Sequence, residues 1–341
     1  MNAALRDLIA PYRSISIIGM CKNAGKTTVL NSIIRQYAGC GETLALTSIG
    51  RDGEDQDLVT GTKKPGIFVA EGTLIATASE LVLQRCDVTR EILDTTGIST
   101  PMGDVVLFRA RSDGAVQLAG PSINSQLAQV REDFFRFGAD RVLIDGALSR
   151  KSLCSRTVTE ATVLCTGASY HKNLDVVVED TAYQCQILTL PEAADARLQQ
   201  IPEDFRGTVL FGEDESWTVP AGISVADALR VPEAKGAQTV FFGGALSDFA
   251  VKPLLMANSL PKGLRLVVRD SSKILLRREN YEKLLRRGMT VQVLQSVNLV
   301  ALTVNPFSAY GYPCDRKELL ERMRGCVSVP VIDVMEEDGD V

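Results

Sequence analysis

The stretch ISIIGMCKNAGKTTVL, residues 15–30, constrains the fold more than any other part of the chain. SISIIG, residues 14–19, reads as a buried strand, and TTVLNSIIRQYA, residues 27–38, places Val29, Leu30, Ile33, Ile34 and Tyr37 on one side of a helix. The connection between them is short, basic and glycine-bearing. ETLALTSIG then supplies a second strand ending at Gly50, followed by the polar, acidic loop RDGEDQDLVTGTKKP. Strand, glycine turn, helix, strand is the opening of a parallel α/β unit.

The rest of the chain continues in that manner. PGIFVAEG reads as a third strand and ATASELVLQRC as a helix, whereas DVVLFRAR, the turn SDGA and VQLAG suggest an antiparallel hairpin over residues 104–119. NSQLAQVREDFFRFG has helical spacing, and ADRVLIDGA is a buried strand that ends on Asp145 and Gly146. The expected fold is therefore α/β, with a largely parallel central sheet flanked by helices and antiparallel additions. The expected division is a nucleotide-binding domain over 12–195, an insertion or joint over 196–235, and a C-terminal α/β part over 236–335, either separate from or continuous with the first core. No period of 20 to 50 residues recurs, which argues against a solenoid.

A common phosphate-binding P-loop reads GxxxxGK(S/T): backbone N–H groups face the phosphates, the lysine reaches the outer ones, and the hydroxyl binds magnesium. Gly25, Lys26 and Thr27 fit, but Met20 stands at the first glycine position and Gly19 lies one residue earlier. The setting between an apolar strand and an amphipathic helix favours phosphate binding over an accidental match. Magnesium also needs a carboxylate, and Asp145 in VLIDG is the first candidate. Asp52, at the end of the second strand, is a candidate to bind metal or orient water; Glu54 and Glu71 are weaker candidates, and a solvated acidic loop is the alternative for Asp52 and Glu54. These residues point to transfer of the terminal phosphoryl group of a nucleoside triphosphate with Mg2+, by positioning and charge stabilisation. There is no NKxD guanine signature; Asn305 and Pro306 in LTVNPFS either contact a purine edge or form a turn.

Composition narrows the classes. A net charge of -5 and a pI near 5.2 argue against nucleic acid or an anionic membrane as partner. The eight cysteines are scattered without a CxxC pair, which fits buried thiols in a reduced, cytoplasmic protein, and neither a signal segment nor a membrane-length apolar run is expected. His171 is the single histidine, flanked by Tyr170 and Lys172, and reads as an exposed side chain rather than a base. Trp217 is expected to pack the middle segment, and Cys21 to be redox-sensitive only if its thiol is accessible and acidified. No GxGxxG supports hydride transfer.

GMCKNAGKT resembles the loop of the dethiobiotin synthetase and cobyrinic acid amide synthase group, in which five residues separate the glycines; Cys21 stands where the partition-ATPase branch has its signature lysine. An asparagine–proline turn like that at Asn305 contacts the purine in dethiobiotin synthetase-like proteins. YRSISIIGMCKNAGKTTVLN, TSIGRDGE, KKPGIFVAEGTLIATA, DTTGISTPMGDVVLFRAR and RVLIDGALSRKS resemble the P-loop subunit of the lysine 5,6-aminomutase reactivase, the KamB family, over residues 12 to about 335. That resemblance implies an ATP- and magnesium-dependent protein that acts with a larger, mismatch-repair-ATPase-like subunit. Its client would be the adenosylcobalamin-dependent aminomutase, from which damaged cobalamin is released. Carried over are Gly19, Lys22, Asn23, Gly25, Lys26, Thr27 and Thr28 for the nucleotide loop, with Asp52 and Asp145 on the metal side. ISTPMGD and LSRKSLCSR would face partners. An ATP-dependent amide synthase or ligase is the alternative; a metallochaperone or assembly NTPase is weakened by the single histidine and the lack of CxxC.

Overall fold

In the computed structural model, residues 5–50, 66–146, 158–234 and 236–337 are described. Contacts divide the chain into two units, Met1–Ala182 with Asn298–Val341, and Tyr183–Val297. The first unit runs α1 (Leu5–Ile9), β1 (Ser14–Gly19), α2 (Lys26–Tyr37), β2 (Leu44–Ser48), β3 (Ile67–Val69), β4 (Leu74–Ala78), α3 (Ser79–Gln84), β5 (Arg90–Thr100), β6 (Gly103–Ala110), β7 (Gly114–Val116), α4 (Asn124–Arg136), β8 (Arg141–Asp145), β9 (Ala161–Gly167) and α5 (Leu174–Leu188), whose end enters the second unit. The second contains β10 (Thr208–Phe211), β11 (Ser216–Val219), α6 (Val225–Ala228), β12 (Thr239–Phe242), β13 (Leu246–Ser247), α7 (Asp248–Met256), β14 (Arg265–Asp270), β15 (Ile274–Leu275), α8 (Arg278–Arg286) and β16 (Thr290–Gln295). The chain then returns to the first unit with β17 (Leu299–Asn305), α9 (Arg316–Cys326), β18 (Val331–Ile332) and α10 (Val334–Glu337).

The first unit is built on a nine-stranded sheet in the order β18-β17-β9-β1-β8-β2-β4-β6-β5. Pairing is parallel from β18 to β4, and β6 and β5 are added antiparallel at one edge. This is the α/β architecture with a largely parallel sheet and antiparallel additions that the strand text anticipates. The inner strands β1, β2 and β9 are buried along their whole length because both faces are covered. Leu46 of β2 and Leu143 of β8 pack with Val29, Leu30 and Ile33 of α2, while their neighbours Ala45, Val142 and Ile144 pack with Leu127, Val130 and Phe134 of α4. Burying a side chain such as Phe134, at 0% exposure, contributes about 1.5–3 kcal/mol relative to leaving it in water.

Several expectations for the edge need correction. The strand at 104–110 pairs with β5 and β4, not with 116–119. The reversal lies at Thr100–Gly103, where Gly103 has φ 92° and the Thr100 hydroxyl donates to the Gly103 carbonyl. Of PGIFVAEG, Ile67–Val69 forms β3, which joins β7 in a separate two-stranded ribbon rather than the central sheet. The second parallel neighbour of β2 is β4, whose last residues Ala76, Thr77 and Ala78 were expected to open a helix; the helix itself begins at Ser79.

The second unit carries a five-stranded sheet, β11-β10-β12-β14-β16, in which β12, β14 and β16 are parallel and β10 runs antiparallel to both neighbours. Val240, Leu266 and Val268 face a core with α7 and α8 side chains, against which Trp217 packs; Phe241 and Val267 face a smaller cluster with Leu198. The expected boundaries at 195 and 235 do not match this division: residues 236–297 belong with the sheet begun at 208, and the segment after 297 rejoins the first core through β17. No helix among the described residues is long and apolar enough to cross a membrane. Cys21, Cys40, Cys86, Cys165, Cys314 and Cys326 are free thiols, and Cys154 lies outside the described residues.

Candidate functional site

Strand order places the ends of β17, β9, β1, β8 and β2 side by side at the carboxyl edge of the parallel sheet, the edge at which open α/β sheets bind ligands. From β1 the chain turns at Gly19, and the Met20 N–H donates to the Cys165 carbonyl at 2.8 Å. Two left-handed residues then shape the loop: Asn23, φ 61°, which alone among the described non-glycine residues has positive φ, and Gly25, φ 94°. Asparagine is one of the few L-residues that adopts this conformation readily, and such alternation turns successive N–H groups toward one concavity.

The helix α2 begins at Lys26 with no side-chain cap and no acidic residue in its first turn. Its leading N–H groups and positive dipole end are therefore left for an anion rather than for the chain's own side chains. Lys26 Nζ donates to the Cys21 carbonyl at 3.4 Å, arching back over the loop. Gly19 makes room for it: a Cβ there would lie 3.0 Å from Lys26 Cγ and 3.2 Å from Nζ. This accounts for a glycine at 19, one residue ahead of the usual first glycine.

Asn305, at the end of β17, donates through Nδ2 to the Asn23 carbonyl at 3.3 Å and accepts the Phe307 N–H on Oδ1 at 3.1 Å. The second bond closes an Asx-turn over Asn305-Pro306-Phe307, so the turn expected here is present. Two glycines permit the approach: a Cβ on Gly167 would lie 2.1 Å from the Asn305 carbonyl oxygen, and one on Gly25 3.2 Å from Asn305 Cβ. The side chain expected to contact a purine or form a turn here braces the loop at Asn23.

A cavity of about 520 Å³ opens over these elements. The loop and α2 line one side from Lys22 to Thr28, Asp145 and Gly146 of the β8 end line the floor, and Asn305 and Phe307 to Ala309 line a further wall. The sequence-derived residues Lys22, Asn23, Gly25, Lys26, Thr27, Thr28, Asp145 and Asn305 all come together here, with Gly19 behind Lys26. Asp52 and Glu54 lie outside the described residues, as does the segment LSRKSLCSR. Glu71 sits exposed in the turn after β3 with its N–H donating to Asp113 Oδ1, and it does not line the cavity. His171 is exposed, its Nδ1 accepting the Asn173 N–H. Burial pushes the Cys21 thiol above its ordinary value, against the pull of the Lys26 charge, which does not suit a reactive thiolate.

Three lining groups have no forewarning in the motif: Ser48 at the end of β2, Gln117 and Leu118 after β7, and the exposed Phe307 ring. Ser48 sits directly opposite Asp145 in the β2–β8 register. Thr27, Ser48 and Asp145 present oxygens, the donor type magnesium takes. Among the described residues there is no cluster of three or more His, Cys, Asp or Glu able to hold a metal alone. The donor set fits a cation that arrives with phosphate oxygens.

No family model matches the chain, and no curated protein matches it. Among solved structures, a chain in the structure of pNOB8 ParA bound to nonspecific DNA is similar at 14% identity and a TM-score of 0.29. The match covers 53% of this chain and 62% of that one, so this chain spans less than two thirds of its length. The strand order, the loop and the uncapped helix define the broad class on their own: an α/β fold of P-loop NTPase type.

Proposed function

We propose that the protein is a magnesium-dependent ATPase that acts by transfer of the terminal phosphoryl group. The observation that supports this most is the start of α2, where uncapped N–H groups, Lys26 and Thr27 meet one cavity. The polyphosphate would lie in the loop between Asn23 and Thr28, with Lys26 leaving the Cys21 carbonyl for the outer phosphates. Thr27 and Asp145 would hold the magnesium ion, which when bound neutralises phosphate charge. Lys26→Ala should abolish nucleotide turnover measured by phosphate release; undiminished turnover would remove Lys26 from its role.

Two couplings of that activity follow from different observations. The sequence blocks that resemble the P-loop subunit of the lysine 5,6-aminomutase reactivase are the ground for a reactivase, working with a larger ATPase subunit on a cobalamin enzyme in the cytoplasm. The cavity supports an amide synthase or ligase: Ile67, Val116, Gln117 and Leu118 wall space beyond the loop itself, room for a second substrate beside the terminal phosphate. Phosphate release by the purified protein separates them. Stimulation by an aminomutase and its companion subunit favours the first coupling, and stimulation by a carboxylate with an amine donor favours the second.

A further inference from the structure

We infer that the Ser48 hydroxyl is a ligand-directed group of this site, positioned to hold a water of the magnesium shell beside Asp145; the inference rests on the ATPase reading above and adds a residue to it. Ser48 is 4% exposed, and its Oγ has no hydrogen-bond partner among the described residues. A buried hydroxyl left in that condition is costly, and native proteins rarely keep one without a use. The residue nevertheless lines the cavity.

Its surroundings explain why only the ligand side is open to it. Ser48 ends β2 and is paired with Asp145 in parallel register, so the two side chains emerge on the same face of neighbouring strands, roughly 5 Å apart at the backbone. On the other side the chain from β7 to α4 closes over the strand end. A Cβ on Gly120 would lie 2.0 Å from the Ser48 carbonyl oxygen, and Gly50 N–H donates to the Pro121 carbonyl at 3.0 Å. The adjacent hydroxyl, Thr47 Oγ1, is satisfied by the Ala76 carbonyl at 2.9 Å. Two neighbouring hydroxyls on one strand therefore differ: Thr47 serves the sheet, and Ser48 is directed at whatever enters the cavity.

The ligand class follows from chemistry. A hydroxyl beside a carboxylate, across the cavity from a lysine and a helix N-terminus, suits a hydrated divalent cation better than a bare phosphate oxygen, which Asp145 would repel. Ser48 Oγ would accept a hydrogen bond from a magnesium-bound water, leaving the phosphates to α2 and Lys26.

The test uses the full chain and a fluorescent ATP analogue, titrated with Mg2+ and with EDTA, together with thermal melts of the ligand-free proteins. Ser48→Ala should weaken binding about tenfold in Mg2+, in line with loss of a hydrogen bond to a charged group. It should change binding less than about twofold in EDTA and leave the melting temperature equal or higher, because an unsatisfied buried group has been removed. Thr47→Val should do the reverse, lowering the melting temperature while keeping the Mg2+ dependence. Unchanged Mg2+ dependence in Ser48→Ala overturns the inference, and so does a melting temperature that falls or a variant that fails to fold. If the wild-type chain binds the analogue under neither condition, the ATPase reading fails with it; if the wild type binds and Ser48→Ala binds equally, only the role of Ser48 is lost.

Discussion

Gly19→Ala separates the function of the first glycine from any role in stability. The added methyl would sit 3.0 Å from Lys26 Cγ, 3.1 Å from Cδ and 3.2 Å from Nζ, closer than ordinary van der Waals contact. The atoms it meets belong to a flexible side chain, and Gly19 does not have positive φ, so the backbone can accept alanine. The strain is therefore relieved by displacing Lys26, with little effect on the sheet. At an effective dielectric of about 20, two unit charges attract by about 5.5 kcal/mol at roughly 3 Å and about 4.2 kcal/mol at roughly 4 Å. An ångström of displacement at Nζ thus costs about 1.4 kcal/mol, or about tenfold in affinity. Equilibrium titration with Mg·ATP should show that loss, while the thermal midpoint without nucleotide moves by less than about 3 °C, under about 1 kcal/mol for a domain of this size. If Gly19→Ala binds as tightly as wild type while Lys26→Ala does not bind, the path of Lys26 over Gly19 has no part in recognition. A large drop in the midpoint would instead place the residue in the core.

Asn305→Ala removes the bond to the Asn23 carbonyl and the Asx-turn to Phe307; about 1 kcal/mol of stability per bond is expected to go, together with weaker binding of inorganic tripolyphosphate, which has no base to read. Unchanged tripolyphosphate affinity would confine Asn305 to base contacts. Burial raises the Cys165 thiol from 9.0 to about 11, with a smaller opposing contribution from Thr303 and Lys26. The folded state thus holds its proton more firmly than the unfolded state, so this stabilising contribution is complete below pH 9 and is lost as pH rises toward 11. Urea unfolding between those limits should show a shallower pH slope in Cys165→Ala than in wild type, and equal slopes would remove the thiol as a cause.

The turn from β1 into α2 was legible because everything that specifies it is local. The apolar run before Gly19, the helical spacing after Lys26 and the small residues between them all lie within one short window. Asp145 was legible for the same reason, at the end of an unbroken apolar strand. The antiparallel edge was not, because two glycine turns compete there. SDGA resembles a hairpin turn as well as Thr100–Gly103 does, and long-range pairing of β6 with both β5 and β4 decides between them. The second unit was hidden in a similar way: β12 and the centre of β14 are buried like the strands of the first sheet, and nothing local states which sheet a strand joins. Nothing in LALTS distinguishes Ser48 from Thr47, and the difference exists only once Ala76 and Gly120 have been placed.

The order of the strands also ties the phosphate loop to the far end of the chain. Asn23 and Asn305, 282 residues apart, share a hydrogen bond, so the loop is braced only when β17 has docked beside β9. A self-contained insertion ahead of β17 is tolerable because loop-closure cost grows slowly with length, about 0.6 kcal/mol per doubling, and the second unit has a core of its own. The chain leaves the first unit through α5 and returns through β17, and these are its covalent routes between the units. Of the two, β17 ends on the residue that touches the loop. It is held on both sides, by β9 and β18, so a shift along its axis would be carried to Asn305 and from there to Gly25 and Asn23. The position of β17 is therefore a condition on the loop geometry at Asn23 and Gly25, set by contacts within the first unit.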